Sequence, residues 1–423
     1  MKHWLNIRNI LLLATALRLG VGVADLALAP DKYAHLRGPA AHRAGVDGYI
    51  QLAHTLWETG QYSFRPAGVP VHHRPPLPVG CMAVCCAPFA AHWGVAWILL
   101  ATGLGVLTLF FANRLMSCLG GWPSELRNLV LLVLALHPFL VNNVRAVTFL
   151  PFAVCLLTLW AWVALLWTRR KQWRTDALFG LVTGGLLLTH GIFLPVLLGL
   201  LLVGAVLRYR HLQQQLPRLA IPVLVAAVLA GGWAGRNYKT FGQAFPLFSG
   251  AGLQYWAGKA VAEGNHHLPV RVYHAATGLA LTDHYHGTPT PQADAVLFRL
   301  AVADIRQHPI EFLQRYAAGL VRFWVPADRA SWQQWLSGVV NMPVVVFTVL
   351  GFLRYQRLRK SLALRLLLLI LLVWAGFAAF FPHNAYFAML LPVLWALAGT
   401  VGLQIFRKPL SIRFPNQSRK IQG

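Results

Sequence analysis

Charge is scarce in this chain. Of 423 residues only 12% are Asp, Glu, Lys or Arg, and only 12 residues are acidic. A soluble domain of ordinary composition carries about twice that charge, so a water-soluble globule is excluded as the first reading. Cysteine is sparse too. Cys81, Cys85 and Cys86 share one apolar stretch, Cys118 and Cys155 lie elsewhere, and no CxxC pair has a matching partner. Such spacing indicates neither a zinc site nor a disulfide framework, and these thiols read as small buried apolar side chains. No segment repeats itself along the chain, which weighs against a transporter built from two similar halves.

What is abundant is apolar. The hydrophobic fraction is 57% and the mean hydropathy +0.55. Ten runs, at 10–29, 94–112, 126–141, 147–167, 176–190, 192–207, 219–235, 334–353, 361–381 and 385–405, approach the ~20 residues that cross a bilayer as a helix. Segment 76–91 is also apolar, but it is short and begins with prolines, so it reads as a helix lying at the interface. Lys2 and Arg8 ahead of the first run could open a signal peptide, but with so many runs following a retained first helix is expected.

The net charge of +25 would suggest nucleic acid in a soluble protein. Here the positive-inside rule accounts for most of it. With the first residues inside, the short inner loops hold clusters such as Arg169, Arg170, Lys171 and Arg174, or Arg354, Arg357, Arg359 and Lys360, and the tail adds Arg407, Lys408, Arg413, Arg419 and Lys420. Asp31, Asp47, Glu58, Glu263, Asp283, Asp294, Asp304, Glu311 and Asp328 fall outside. Making 76–91 a full span would invert every later loop. The expected organisation is therefore an N-terminal transmembrane module, 1–235, with an external loop at 30–93, then an external region at 236–333, then C-terminal spans and a basic cytoplasmic tail, 334–423. Both ends are expected in the cytoplasm, and no nucleic-acid partner is expected.

Chemistry in water then has two places to occur. In the first loop Asp47 precedes a segment in which Tyr49, Leu52, Ala53 and Leu56 share one face of a helix. A carboxylate at a helix start is kept ionised by the dipole and can serve as a general base; the plain alternative is a loop aspartate that caps the helix. His72, His73 and Arg74 follow, just before the interfacial segment. Arg74 has the planar fork that suits phosphate oxygens. The adjacent histidines point opposite ways on an extended chain, which makes a two-histidine metal site from this pair unfavourable; the alternative for the run is headgroup anchoring. Arg236 and Lys239 leave a span on the outer side, against the charge bias, so a lipid phosphate is one candidate partner and snorkelling the other. His190, at the outer end of a run, could line a cavity. Arg18 lies inside the first span and must be buried against other helices; Asp25, two turns later, shares its face.

In their order these features resemble the GT-C fold membrane glycosyltransferases, and within them the bacterial branch of protein O-mannosyltransferases and lipid A aminoarabinose transferases. Asp47, Leu52, Ala53, Leu56, Gly60, Tyr62, Arg74, Pro75, Pro76, Leu77 and Pro78 stand where that family has its acidic loop and Arg-Pro-Pro run. Arg236, Asn237, Tyr238, Phe241, Gly242, Ser249, Gly252, Leu253 and Gly258 stand in its later motif. The chain departs from it at Asp47-Gly48, where the family often has Asp-Glu, at 142–151, which lacks a second acid, and at His190, where an Arg is usual.

The resemblance implies an all-α bundle of about ten membrane helices with external interfacial helices, in the inner membrane of a cell envelope. It implies an inverting transferase taking a sugar, hexosyl or pentosyl, from polyprenyl phosphate to a glycan, lipid or protein hydroxyl at the outer face. Asp47 is then the base, and Arg74, Arg236 and Lys239 hold the leaving phosphate, with Tyr49, His72, His73 and His190 as further substrate-binding candidates. A divalent cation stays open, because few acids lie near Asp47. The alternative is a lipid or oligosaccharide flippase, transporter or polymerase, which would line a path through the spans with polar groups; at mid-span the main charges are Arg18 and Arg365. A non-catalytic membrane scaffold is the third reading. The enzyme reading requires Arg74 and Arg236 to meet Asp47 within about 15 Å.

Overall fold

The computed structural model describes residues 6–30, 48–64, 68, 70–72, 74–119, 122–170, 172–207, 209–242, 250–263, 268–277, 291–322, 371–373, 376 and 389–407. These are helical apart from turns, caps and one isolated bridge between Ser63 and Pro70. In chain order the helices are α1 Ile7–Leu28, α2 Tyr49–Thr59, α3 Pro76–Cys85, a 3-10 turn at Ala87–His92, α4 Trp93–Leu119, α5 Ser124–Leu136, α6 Pro138–Asn142, α7 Leu150–Arg169, α8 Trp173–Leu187, α9 Phe193–Leu207, α10 Tyr209–Phe241, α11 Ala251–Glu263, α12 Leu268–Thr277, α13 Pro291–Gln307, α14 Pro309–Arg322 and α15 Leu391–Arg407.

Four of them are long and apolar enough to cross a bilayer: α1, α4, α7 and the part of α10 from Arg218 to Phe241. The protein is an integral membrane protein, all-α and polytopic. The expected run at 334–353 and most of 361–381 lie outside the described residues. The run at 126–141 is not one helix. It breaks at His137, whose extended ψ of 123° precedes Pro138, the first residue of α6, because a proline disfavours helical backbone in the residue before it. The 76–91 segment is α3, ten residues or about 15 Å long, followed by the 3-10 turn with a kink at Phe89. Neither piece spans a bilayer.

The bundle packs α4 against α7 and α1, and α8 against α7 and α10. Helices α8 and α10 approach closely through Gly180 and Gly184: a Cβ on Gly180 would lie 2.7 Å from the Cα of Pro222, and one on Gly184 would lie 2.6 Å from Leu229 Cδ1. This is the small-xxx-small spacing that lets membrane helices touch.

Side-chain bonds sort the helix ends into two groups. At one end Arg218 of α10 bonds Asp176 of α8 at 3.2 Å and the carbonyls of Trp167 and Arg170 at the end of α7, with its guanidinium 4.9 Å from the Trp167 ring. Trp122, between α4 and α5, donates to Thr400 of α15 at 3.0 Å at this end. At the other end Asp25 near the end of α1 pairs with Arg145 at 2.7 Å, and Trp97 near the start of α4 donates to the Val144 carbonyl at 2.9 Å. Leu77 of α3 donates its backbone N–H to Leu188, just past α8, at 3.1 Å. Helix α3, from the first loop of the sequence reading, lies at this second end, and α2 packs on it.

Arg18 is 1% exposed and does not use Asp25. Its Nη1 donates to the carbonyls of Ala14, at 3.2 Å, and Ala135, at 3.3 Å. Ala135 lies in the last turn of α5, where carbonyls lack helical partners and the dipole favours a cation. Arg18 is thus a cap for a helix that ends inside the bundle.

Helices α11 to α14 have a small core of their own, centred on Tyr255, Trp256, Leu297 and Ala301. Asp294 of α13 caps α11, accepting from the N–H groups of Gly250 at 2.7 Å and Leu253 at 2.9 Å. Burial pushes its carboxyl up and those amides pull it back down. Asp304 is held by Lys259, at 2.8 and 2.9 Å, and by the Tyr255 hydroxyl. Burial alone would raise that carboxyl, but these donors, with the charges of Lys259 and Arg315, outweigh it and hold it below its ordinary value.

Candidate active site

The end that gathers α2, α3, the start of α7 and the end of α10 is where most of the candidate residues lie. Helix α2 begins at Tyr49. Its N-cap is Gly48, at φ +73°, and Gly60 closes it at φ +69° with its N–H on the Leu56 carbonyl. Both positions are left-handed, which glycine adopts without penalty. At Gly48 a Cβ would also run into the Phe64 ring. A side chain at position 48 would therefore meet both a backbone penalty and the Phe64 ring. Asp47 itself, and His73, lie outside the described residues.

The α2 surface differs from the expected half-buried face. From Tyr49 to Thr55 every residue is buried, including Gln51 and His54, because α3 and the 3-10 turn pack on it from the bundle side. Alternation along the sequence shows one apolar face; it does not show that a neighbouring short helix covers the polar one.

After α2 the chain doubles back on itself. Val71 donates its N–H to the Tyr62 carbonyl at 2.8 Å, next to the Ser63–Pro70 bridge. The Tyr62 hydroxyl then donates to the carbonyls of Arg74, at 3.2 Å, and Pro75, at 3.1 Å. The Arg74 guanidinium lies over the Tyr49 ring, 5.4 Å from its centroid. Arg236, near the end of α10, reaches into the same place. Its Nη1 donates to the Val71 carbonyl at 3.0 Å and to Asn237 Oδ1 at 2.9 Å. Its guanidinium lies 5.3 Å from the Tyr62 ring, 4.8 Å from Trp233 and 5.3 Å from Phe241, a cation–π cage. Burial pushes the Tyr62 phenol well above its ordinary value, a nearby Tyr49 adds to this, and both Arg236 and Arg74 act in the opposite sense. Tyr62 thus contacts the Arg236 guanidinium through its ring and the Arg74 backbone through its hydroxyl.

The remaining candidates are dispersed around this centre. Tyr49 is 1% exposed and lies under Arg74. His72 is buried, with its ring edge-on to Phe241 at 5.5 Å. Lys239 is exposed on the last turn of α10. His190 lies in the turn between α8 and α9, stacked on Phe149 at 4.4 Å, and its Nδ1 accepts the Ile192 N–H at 3.2 Å. Burial pushes its imidazole down to about 4, so at neutral pH it is an uncharged group, unlike an Arg. The Asp25–Arg145 pair at this end was not foreseen as a pair. Among the described residues no three His, Cys, Asp or Glu side chains converge as a metal site would need.

Compared by sequence, the chain matches no family profile and no curated protein. Compared by structure, it matches the oligosaccharyltransferase of Archaeoglobus fulgidus tethered with an acceptor peptide, with a TM-score of 0.54 at 16% identity over 95% of this chain and 50% of that one. The GT-C fold is shared. A second structure of that archaeal enzyme, AglB in complex with an inhibitory peptide and a dolichol-phosphate, aligns with a TM-score of 0.53 at 14% identity, over 91% of this chain and 50% of the other. The chain thus spans about half the length of the oligosaccharyltransferase it matches. ArnT from Cupriavidus metallidurans bound to undecaprenyl phosphate aligns over 92% of this chain and 77% of its own at 16% identity, with a TM-score of 0.41, too loose an overlay to carry an argument.

Proposed function

We propose that this GT-C chain is a glycosyltransferase that takes a sugar from a polyprenyl-phosphate carrier and passes it to an acceptor hydroxyl at the outer face of the membrane. The observation that carries the reading is that Tyr62 links Arg74 and Arg236, 162 positions apart in the numbering, at the end of the bundle where α2 begins: its ring lies 5.3 Å from the Arg236 guanidinium and its hydroxyl donates to the Arg74 carbonyl at 3.2 Å. Two guanidinium groups at a membrane boundary suit a lipid phosphate, and the archaeal oligosaccharyltransferase of this fold has been captured with a dolichol-phosphate.

In this reading Asp47 takes the proton of the acceptor hydroxyl while that oxygen attacks the anomeric carbon. The bond from that carbon to the phosphate oxygen breaks, and the polyprenyl phosphate leaves with its charge held by Arg74 and Arg236. Lys239, exposed nearby in sequence, meets the phosphate's outer oxygens; Tyr49 and His72 shape the site, and His73 and His190 are taken as further substrate-binding residues. Direct displacement with one base inverts the anomeric centre. The sugar is a hexosyl or pentosyl group, and the acceptor a glycan, lipid or protein. The external region at 236–333, which includes α11 to α14, is taken to face that acceptor, and both chain ends are taken as cytoplasmic.

The test is transfer from radiolabelled polyprenyl-phosphate sugars by purified protein. Wild type should release labelled product, and Asp47→Asn should lose at least about 100-fold in rate, the low end of what general-base loss costs. An Asp47→Asn variant as fast as wild type removes Asp47 from its role, and a wild type inert with every such donor sinks the reading.

A further inference from the structure

Arg74 and Arg236 belong to different parts of the chain, just ahead of α3 and near the end of α10. What joins them is Tyr62. Its ring forms one wall of the Arg236 cage and meets Trp233 edge-on at 4.9 Å. Its hydroxyl holds the backbone at Arg74 and Pro75, immediately before Pro76 starts α3. Its own backbone carbonyl fixes Val71, whose carbonyl in turn receives Arg236. Tyr62 is 8% exposed, so it presents almost nothing to a ligand.

We infer that Tyr62 is the positioning residue that sets the two guanidinium groups around a single lipid phosphate, acting on substrate only through Arg74 and Arg236. The inference rests on the donor reading above. It follows from geometry: a bidentate cation grips phosphate only when its plane is correctly aimed, and a side chain on a loop is aimed by what holds that loop. The ring aims Arg236 and the hydroxyl aims Arg74. High pKa keeps the phenol protonated, so the donor is present at any physiological pH.

The test is binding of undecaprenyl phosphate, with undecaprenol as the phosphate-free control, to the full chain in nanodiscs. Wild type should prefer the phosphate. Tyr62→Phe keeps the ring and loses only the hydroxyl; it should weaken undecaprenyl phosphate about 5- to 10-fold, leave undecaprenol unchanged and leave the melting temperature near wild type. Combined with Arg74→Gln it should cost less than the product of the two single losses, because both remove one function. Trp233→Phe provides a second arm should Tyr62→Phe fold poorly: it retains the hydroxyl bond and loosens the Arg236 cage, and its loss should be non-multiplicative with Arg236→Gln. Wild-type affinity in Tyr62→Phe, losses that simply multiply, or equal weakening of phosphate and alcohol each overturn the positioning role while leaving the donor reading intact. A wild type that does not distinguish undecaprenyl phosphate from undecaprenol overturns both.

Discussion

At the scale of single residues the site is shaped by what neighbouring side chains leave room for. Gly48 sits in left-handed backbone with the Phe64 ring against it. Gly48→Ala should therefore lower stability by about 1–3 kcal/mol, the usual cost of a non-glycine residue in such backbone, read as a drop in melting temperature. Pairing it with Phe64→Leu should recover only part of the loss, since trimming the ring removes the clash but not the backbone penalty; full recovery would refute the backbone argument. Sequence reading singled out Arg236 because it leaves a span against the expected charge bias, and Arg74 because its fork suits phosphate and it stands just ahead of the 76–91 segment. It could not find Tyr62's part, since the contacts that define it run between Val71 and Arg236, 165 residues apart. Nor could it pair Asp25 with Arg145, because a shared helical face pointed to Arg18 instead, and only the fold shows that Arg18 is spent on the carbonyl of Ala135.

At the scale of elements, long apolar runs were legible nearly to the residue: 10–29 against α1 at Ile7–Leu28, and 147–167 against α7 at Leu150–Arg169. Helix α10 begins earlier than its apolar run, since Tyr209–Pro217 is helical despite Arg210 and three glutamines; hydropathy marks the bilayer, not the end of the hydrogen-bond ladder. The opposite error came at 126–141, where summed hydropathy hid the break that Pro138 imposes. Helix contacts at the far end depend on Arg218, which joins α10 to the last carbonyls of α7 and to Asp176 of α8. Lysine has a single ammonium in place of the fork and cannot reach all three acceptors from one geometry. Arg218→Lys should cost about 1.5–3 kcal/mol, the range for hydrogen bonds to a charged group, measured by thermal unfolding in detergent. An unchanged melting temperature would show that the clamp contributes nothing.

At the scale of the whole molecule, the two groups of helix ends define a polarity that native thiols can report. All five cysteines are free among the described residues, with Cys85 exposed on α3 at the candidate-site end and Cys118 partly exposed near the other end of α4. In intact cells a variant retaining only Cys85 should react with a membrane-impermeant maleimide, and one retaining only Cys118 should react only after permeabilisation. The reverse pattern would turn the protein over and place the site inside. The overall architecture was readable from composition because a bilayer imposes one rule on every span. The arrangement of short helices at the site end was not, since α2 and α3 are set by packing against each other, and no periodic pattern encodes which short helix covers which.

Helix α10 is fastened at two heights, by Arg218 to α7 and α8 and by Arg236 to the loop around Val71. At 1.5 Å per residue those fastenings lie about 27 Å apart, close to the ~30 Å hydrocarbon thickness of a bilayer. The helix therefore acts as a gauge. In a thicker or thinner bilayer it cannot slide to match without pulling on one of its arginines, so the fit between protein and membrane thickness bears directly on the cation held at the candidate site.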